Sequence, residues 1–114
     1  MSVFFTDRDV GDVTIVTAEG CLMEGDGQGT VLSHFDELHA RGRKKCLVDL
    51  RGIRHVDRCG WDEFCKVFSP SRMVLCTLKL LGLSPQLESL FQTTRIIEKF
   101  EKFDEEVEAV RSFD

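Results

Sequence analysis

The stretch Lys44-Lys45-Cys46-Leu47-Val48-Asp49-Leu50-Arg51-Gly52-Ile53-Arg54-His55-Val56-Asp57-Arg58-Cys59-Gly60-Trp61 constrains this chain more than any other. Cys46 to Val48 plus Leu50 form an apolar run too short for a helix and without a turn residue, which predicts a buried strand in the middle of a sheet. Gly52 is expected to end it. From Asp57 the period changes: Trp61, Phe64, Cys65 and Phe68 fall at i, i+3, i+4 and i+7, one apolar face of a helix. Asp57 is a suitable N-cap, with Asp62 and Glu63 expected in the favourable first turn. A strand that feeds a helix through a tight loop leaves backbone N–H groups exposed at the helix start, where open α/β domains place their binding sites.

The remaining elements follow from local signals. Val3 to Val10, a Gly11-Asp12 turn and Val13 to Ala18 predict an antiparallel start. Gly20, Gly25, Gly27 and Gly29 then predict a loop from Gly20 to Gly29. It lacks a Gly-Lys-Ser/Thr ending, and Glu24 and Asp26 would repel a phosphate, so nucleotide binding there is disfavoured. Thr30 to Arg41 reads as a helix burying Val31, Leu32, Phe35 and Leu38, with Arg41-Gly42 at its end. His34 and His39 are five apart in the sequence, off the i, i+4 placement that would share a metal, and read as surface residues. Ser69-Pro70 should end or kink the central helix. Thr77 to Leu83 reads as a strand, and Ser84-Pro85 as a helix start with Leu87, Leu90 and Phe91 inward. Ile96-Ile97 to Phe103 reads as a last extended piece. Asp104 is expected to cap a final helix with Val107 and Val110 inward and Glu105, Glu106 and Glu108 outward. Strands alternating with helices indicate an α/β fold, a single domain over 1–114, with a mixed, mostly parallel sheet of four to five strands and about four helices.

Composition excludes several function classes. At 114 residues and 42% hydrophobic content the chain fits one core. The N-terminus lacks a basic region followed by an apolar run, and the longest apolar stretch, Met73 to Leu83, is interrupted by Thr77 and Lys79, so neither signal peptide nor membrane span is expected. Five cysteines without an export signal predict reduced thiols and a cytoplasmic location. A net charge of −5 argues against nucleic acid as a partner. Arg41, Arg43, Lys44, Lys45, Arg51, Arg54 and Arg58 nevertheless cluster in one region, and Glu98, Glu101, Asp104, Glu105, Glu106 and Glu108 in another; the plainer reading is a solvated surface. No Cys-x-x-Cys and no Ser/His/Asp or Cys/His motif occurs in a recognisable context, so neither a metal, a cofactor nor an enzyme is expected.

Val48-Asp49-Leu50-Arg51-Gly52-Ile53-Arg54-His55-Val56-Asp57-Arg58-Cys59-Gly60-Trp61 resembles the signature of the STAS domain, the module of bacterial anti-sigma-factor antagonists and of sulphate-transporter tails. Gly20-Cys21-Leu22, Leu78 to Pro85, and Leu90-Phe91 to Val110 resemble its earlier and later segments, so the likeness covers nearly the whole chain. It implies a protein-interaction module whose partner is an anti-sigma factor or related kinase-like protein. The contact surface would be the helix start and adjacent loops: Asp57, Arg58, Cys59, Gly60, Trp61, Met23, Glu24 and Ser84. Arg58 and Cys59 replace the two serines of the family pattern, the first of which is the phosphate acceptor, so the family's switch is not expected at position 58. Cys59 is the candidate redox thiol, because a thiol in the first turn of a helix beside Arg58 tends to a lowered pKa; an inert thiol in a serine position is the favoured reading. The alternatives are a small-molecule or redox-sensing domain using Cys59 and the Gly20–Gly29 loop, or a scaffold component of a larger complex. Oligomeric state and partner identity stay open.

Overall fold

In the computed structural model, the described residues are 3–23, 30–66, 76–93 and 101–114. They form, in order, β1 (Val3–Val10), β2 (Val13–Leu22), α1 (Thr30–Ala40), β3 (Lys45–Val56), α2 (Arg58–Cys65), β4 (Thr77–Leu81), α3 (Pro85–Thr93), β5 (Lys102–Phe103) and α4 (Glu106–Arg111). The five strands make one sheet in the order β1-β2-β3-β4-β5, antiparallel between β1 and β2 and parallel elsewhere. Among the described residues the expected mixed, mostly parallel α/β fold with four helices is what forms.

The hairpin turns where the Gly11-Asp12 pair predicts. Gly11 takes a φ of 63°, and no residue other than glycine has a positive φ among the described residues. A positive φ at the first turn position alone fits the type II′ turn, whose twist matches that of the strands it joins. At the end of α1, Gly42 at φ 78° lets its own N–H reach the His39 carbonyl and the Arg43 N–H reach the Leu38 carbonyl, both at 3.0 Å. This is the Schellman closure that Arg41-Gly42 predicts.

Alternation along the strands divides the core between two faces. Val16, Ala18, Cys46, Val48, Leu50, Leu78 and Leu80 face α1, α2 and Leu87 of α3, packing with Val31, Phe35, Leu38, Trp61 and Phe64. Val13, Ile15, Leu47 and Leu81 face the other way, onto Ala109, Val110 and Phe113 at the C-terminal end.

Five expectations are corrected. Gly52 does not end β3, which runs on to Val56, paired with Glu19 to Leu22 through two register shifts. A Cβ at Gly52 would lie 2.8 Å from Glu19 Cγ and 3.0 Å from the Ala18 carbonyl oxygen, so glycine here permits close approach of β2 rather than termination. Gly20, Cys21 and Leu22 accordingly belong to β2, not to a loop. β4 stops at Leu81, because Gly82 turns out of the sheet at φ 75°. The final helix starts later than expected: Glu105 rather than Asp104 holds the cap position, Val107 is 63% exposed, and Ala109 is the fully buried residue. Val110 packs inward as expected, but it shares that side with Ala109, about 100° round the helix from it, rather than with Val107. His34 is not a plain surface residue either, since its ring stacks on Phe5 at 4.6 Å and bonds Asp7 at 2.8 Å. Phe68, Ser69-Pro70, Ile96-Ile97 and Glu24 to Gly29 lie outside the described residues.

Candidate functional site: the start of helix α2

The carboxyl ends of the parallel strands β2, β3 and β4 lead into Met23, Asp57 and Ser84, so three of the predicted contact positions are neighbours by topology. α2 opens as Asp57 dictates. Its carboxylate accepts the Gly60 N–H at 2.8 Å with extended backbone at the cap (φ −116°, ψ 176°), satisfying one of the orphan donors of the first turn. The Asp57 N–H in turn donates to the Leu22 carbonyl at 3.0 Å, tying the cap to the end of β2. On the other side Gln86 Nε2 donates to the Val56 carbonyl at 3.1 Å, and the Ser84 hydroxyl accepts the Leu87 N–H at 3.2 Å as the cap of α3. Gln86 carries no sequence signal of its own, because only the fold brings α3 beside the end of β3.

Gly60 is buried where α2 crosses β2. A Cβ there would sit 2.0 Å from the Leu22 carbonyl oxygen and 2.6 Å from the Met23 nitrogen, so only glycine fits. Trp61, expected at the contact surface, is 0% exposed and stacks on Phe64 with ring centroids 5.5 Å apart. It follows Gly60 on the inward side of the helix and offers a partner no surface. At its start α2 presents Arg58 and Cys59 outward. Arg58 is 63% exposed in its side chain and its Nε donates to Asp62 Oδ1 at 3.1 Å, one turn along. Asp62 is therefore beyond the first turn, serving as an i+4 partner instead. Arg54 and His55, exposed at the end of β3, extend the same polar rim. Met23 is half-buried, and Glu24 lies outside the described residues.

The described residues include all five cysteines, and none is in a disulfide. Cys59 is exposed, whereas burial pushes the Cys46 thiol up to about 12, with Cys76 acting in the same direction. Burial likewise pushes the Cys65 thiol up to about 12, with Asp62 adding to it. These two are packing residues at neutral pH. Among the described residues no group of three or more His, Cys, Asp or Glu side chains is placed to hold a metal ion, and no helix is long and apolar enough to cross a membrane.

One charged cluster escaped the sequence reading. Asp49 is 5% exposed on the α4 face of β3, and its oxygens receive Arg51 Nε at 3.0 Å, Arg51 Nη2 at 2.8 Å and the Arg51 N–H at 3.0 Å. Burial alone would raise the Asp49 carboxyl, but the hydrogen bonds and charge of Arg51 outweigh it and hold the group below its ordinary value. Arg51 also approaches Glu106 of α4 at 3.9 Å, and Glu106 pairs with Arg8 of β1. The stem of Arg51 lies over Gly82, where a Cβ would be 2.1 Å from its Cγ. The signal was present as Asp49 inside an apolar run two residues before an arginine, the spacing that puts both on one face of a strand.

Taken together, a five-stranded sheet with one antiparallel edge, helices on both faces and a capped helix start after the central strand define a SpoIIAA-like fold. The solved structures it is similar to include a Thermotoga maritima protein assigned as an anti-sigma factor antagonist, 18% identical, with a TM-score of 0.80 over 95% of this chain and 92% of that one. An anti-sigma factor antagonist from Mycobacterium paratuberculosis is 11% identical, TM-score 0.76, over 97% of this chain and 93% of its own. The phosphorylated form of the Bacillus cell fate determinant SpoIIAA is 15% identical, TM-score 0.71, over 97% of this chain and 100% of its own. No protein-family model and no curated protein sequence matches the chain. At these identities the likeness establishes the fold.

Proposed function

We propose that this domain is a cytoplasmic protein-interaction module of the anti-sigma-factor antagonist type, which docks a kinase-like anti-sigma factor through the start of α2 and is not switched by phosphate at position 58. The observation that supports this most directly is the exposed Arg58 at a rigidly capped helix start, on a fold shared with antagonists over nearly its whole length. Arginine has no hydroxyl to phosphorylate, and it holds a positive charge where a phosphate would add about two negative ones. The contact surface in this reading comprises Arg58, Cys59 and the edge of Asp57, with Met23, Glu24 and Ser84 at its rim. Gly60 and Trp61 support it from below.

The test is affinity capture of the full chain with an anti-sigma kinase, followed by titration of Arg58→Asp and a paired thermal melt. The substitution breaks the exposed Arg58–Asp62 pair and sets two acids one turn apart, while an acid suits the helix N-terminus; these effects oppose one another, so stability should change by no more than about 0.5 kcal/mol. Affinity should fall by about 1 to 3 kcal/mol. Unchanged affinity with an unchanged melt would show that this helix start is not the docking surface. A second reading, redox sensing, is favoured by the exposure of Cys59 beside three buried thiols, Cys21, Cys46 and Cys65. Repeating the titration with oxidant and with Cys59→Ser separates it, since only a sensor makes affinity depend on oxidant through that residue.

A further inference from the structure

Strand β1 forms one edge of the sheet, and no described strand pairs with its outer side. Edge strands are commonly protected by charge, and β1 carries Asp7, Arg8 and Asp9. Each is already matched within the chain. Asp7 bonds His34 at 2.8 Å, Arg8 pairs with Glu106, and Asp9 pairs with Arg43 at 3.1 Å and accepts the Thr14 hydroxyl at 2.8 Å. The edge is thus close to neutral, and Phe4 stands 67% exposed on it. We infer that this edge binds a second copy of the chain, β1 pairing antiparallel with β1 of the partner to join two sheets across a two-fold axis.

The register follows from the hairpin. Val10 and Val13 flank a two-residue turn and so form its closing hydrogen-bonded pair, which directs the N–H and C=O groups of Phe4, Thr6, Arg8 and Val10 toward β2. Those of Val3, Phe5, Asp7 and Asp9 point outward. A two-fold through Thr6 sets Phe5 against the partner's Asp7 and Val3 against the partner's Asp9 as hydrogen-bonded pairs. Between them Thr6 meets its own copy, and Phe4 meets the partner's Arg8 in the closer, non-hydrogen-bonded spacing. Phe4, Thr6 and Arg8 share the face that carries α4, so the ring of Phe4 lies beside a guanidinium twice across the axis, an arrangement favourable to both. Centring on Asp7 would oppose two carboxylates, and centring on Phe5 would take Arg8 away from Phe4. The isologous pairing closes on itself and gives a dimer, not a fibre.

Sedimentation of the full chain across concentration should show a monomer–dimer equilibrium. Phe4→Lys, which opposes Arg8 with a like charge, should raise the dimer Kd by about tenfold or more, whereas Phe4→Glu, which opposes it with an acid, should stay within about threefold. Thr6→Cys should cross-link when diamide takes up the two thiol protons and two electrons, because facing residues at such a pair lie about 4.5 Å apart at Cα. Arg8→Cys should not exceed the background of the unaltered chain, since the two copies of position 8 would be about 14 Å apart. A chain that stays monomeric throughout, equal weakening by Lys and Glu, or equal cross-linking at positions 6 and 8 would overturn the inference.

Discussion

At Gly60 the requirements of a helix and of a packed domain point in opposite directions. On an open helix, glycine to alanine stabilises by about 1 kcal/mol. Here the added methyl carbon would sit 2.0 Å from the Leu22 carbonyl oxygen, less than a van der Waals contact by more than an ångström. α2 would have to lift from β2, loosening the Asp57–Leu22 bond that sets the height of the helix start. Gly60→Ala is therefore expected to destabilise by more than about 2 kcal/mol in urea unfolding, within the range of overpacked cores. A neutral or stabilising result would mean that α2 does not rest on β2 as described. Trp61 makes the same point from the other side: its neighbours in sequence are buried Gly60 and exposed Asp62, and a helix position between the two can face either way until the strand beneath is known.

At the scale of elements, periodicity was informative wherever one face decided the pattern, as in α1 and the hairpin. It failed where two strands meet closely. Gly52 reads as a breaker because glycine in a strand contributes no side chain, yet β3 continues because β2 needs that space; the reason lies in a residue over thirty positions away. The helix start at Asp57 was legible because its cap is local, whereas Gln86 and the Arg51–Glu106 contact depend on how β4, α3 and α4 return to β3. Asp49 shows what a buried acid in a strand implies for pH. Its carboxyl is held below the ordinary value near 4 by Arg51, so it contributes stability above that value and loses it as pH falls through the lower, folded one. The melting temperature should accordingly be insensitive to this group from pH 5 upward and fall below about pH 4. Asp49→Asn should be less stable by about 1 to 3 kcal/mol at neutral pH and should show a shallower acid decline. An acid decline as steep as that of the unaltered chain would assign it to other carboxylates.

For the molecule as a whole, the sheet is a wall between unequal cores, and the smaller one depends on ten C-terminal residues. α4 has only six residues and a cap without a side-chain bond, too little to form a helix alone. It is held by what it covers: Ala109, Val110 and Phe113 lie over Val13, Ile15, Leu47 and Leu81, all 1% exposed or less. Lys79, 7% exposed, crosses from β4 to bond the Ser112 carbonyl at 2.8 Å and hydroxyl at 3.0 Å, with the Phe113 ring 4.6 Å from its ammonium. This satisfies one carbonyl that the helix end leaves open and gives polar partners to a mostly buried cation whose charge is balanced by Glu101 at 3.4 Å. Removing residues 105 to 114 would return those four apolar side chains to water, at about 1.5 kcal/mol each or more, and would take Ser112 from Lys79 and Glu106 from Arg8 and Arg51, while Lys79 keeps Glu101 and Arg51 keeps Asp49. The sum is on the order of 6 kcal/mol, as large as the whole stability of many domains of this size. The shortened chain should thus show no cooperative thermal transition, while Phe113→Ala, which leaves the helix and its Lys79 bond in place, should still unfold cooperatively with a lowered midpoint. A cooperative melt of the shortened chain within about 5 °C of the full one would show that the second core contributes little, and that the larger core under α1 and α2 holds the sheet by itself.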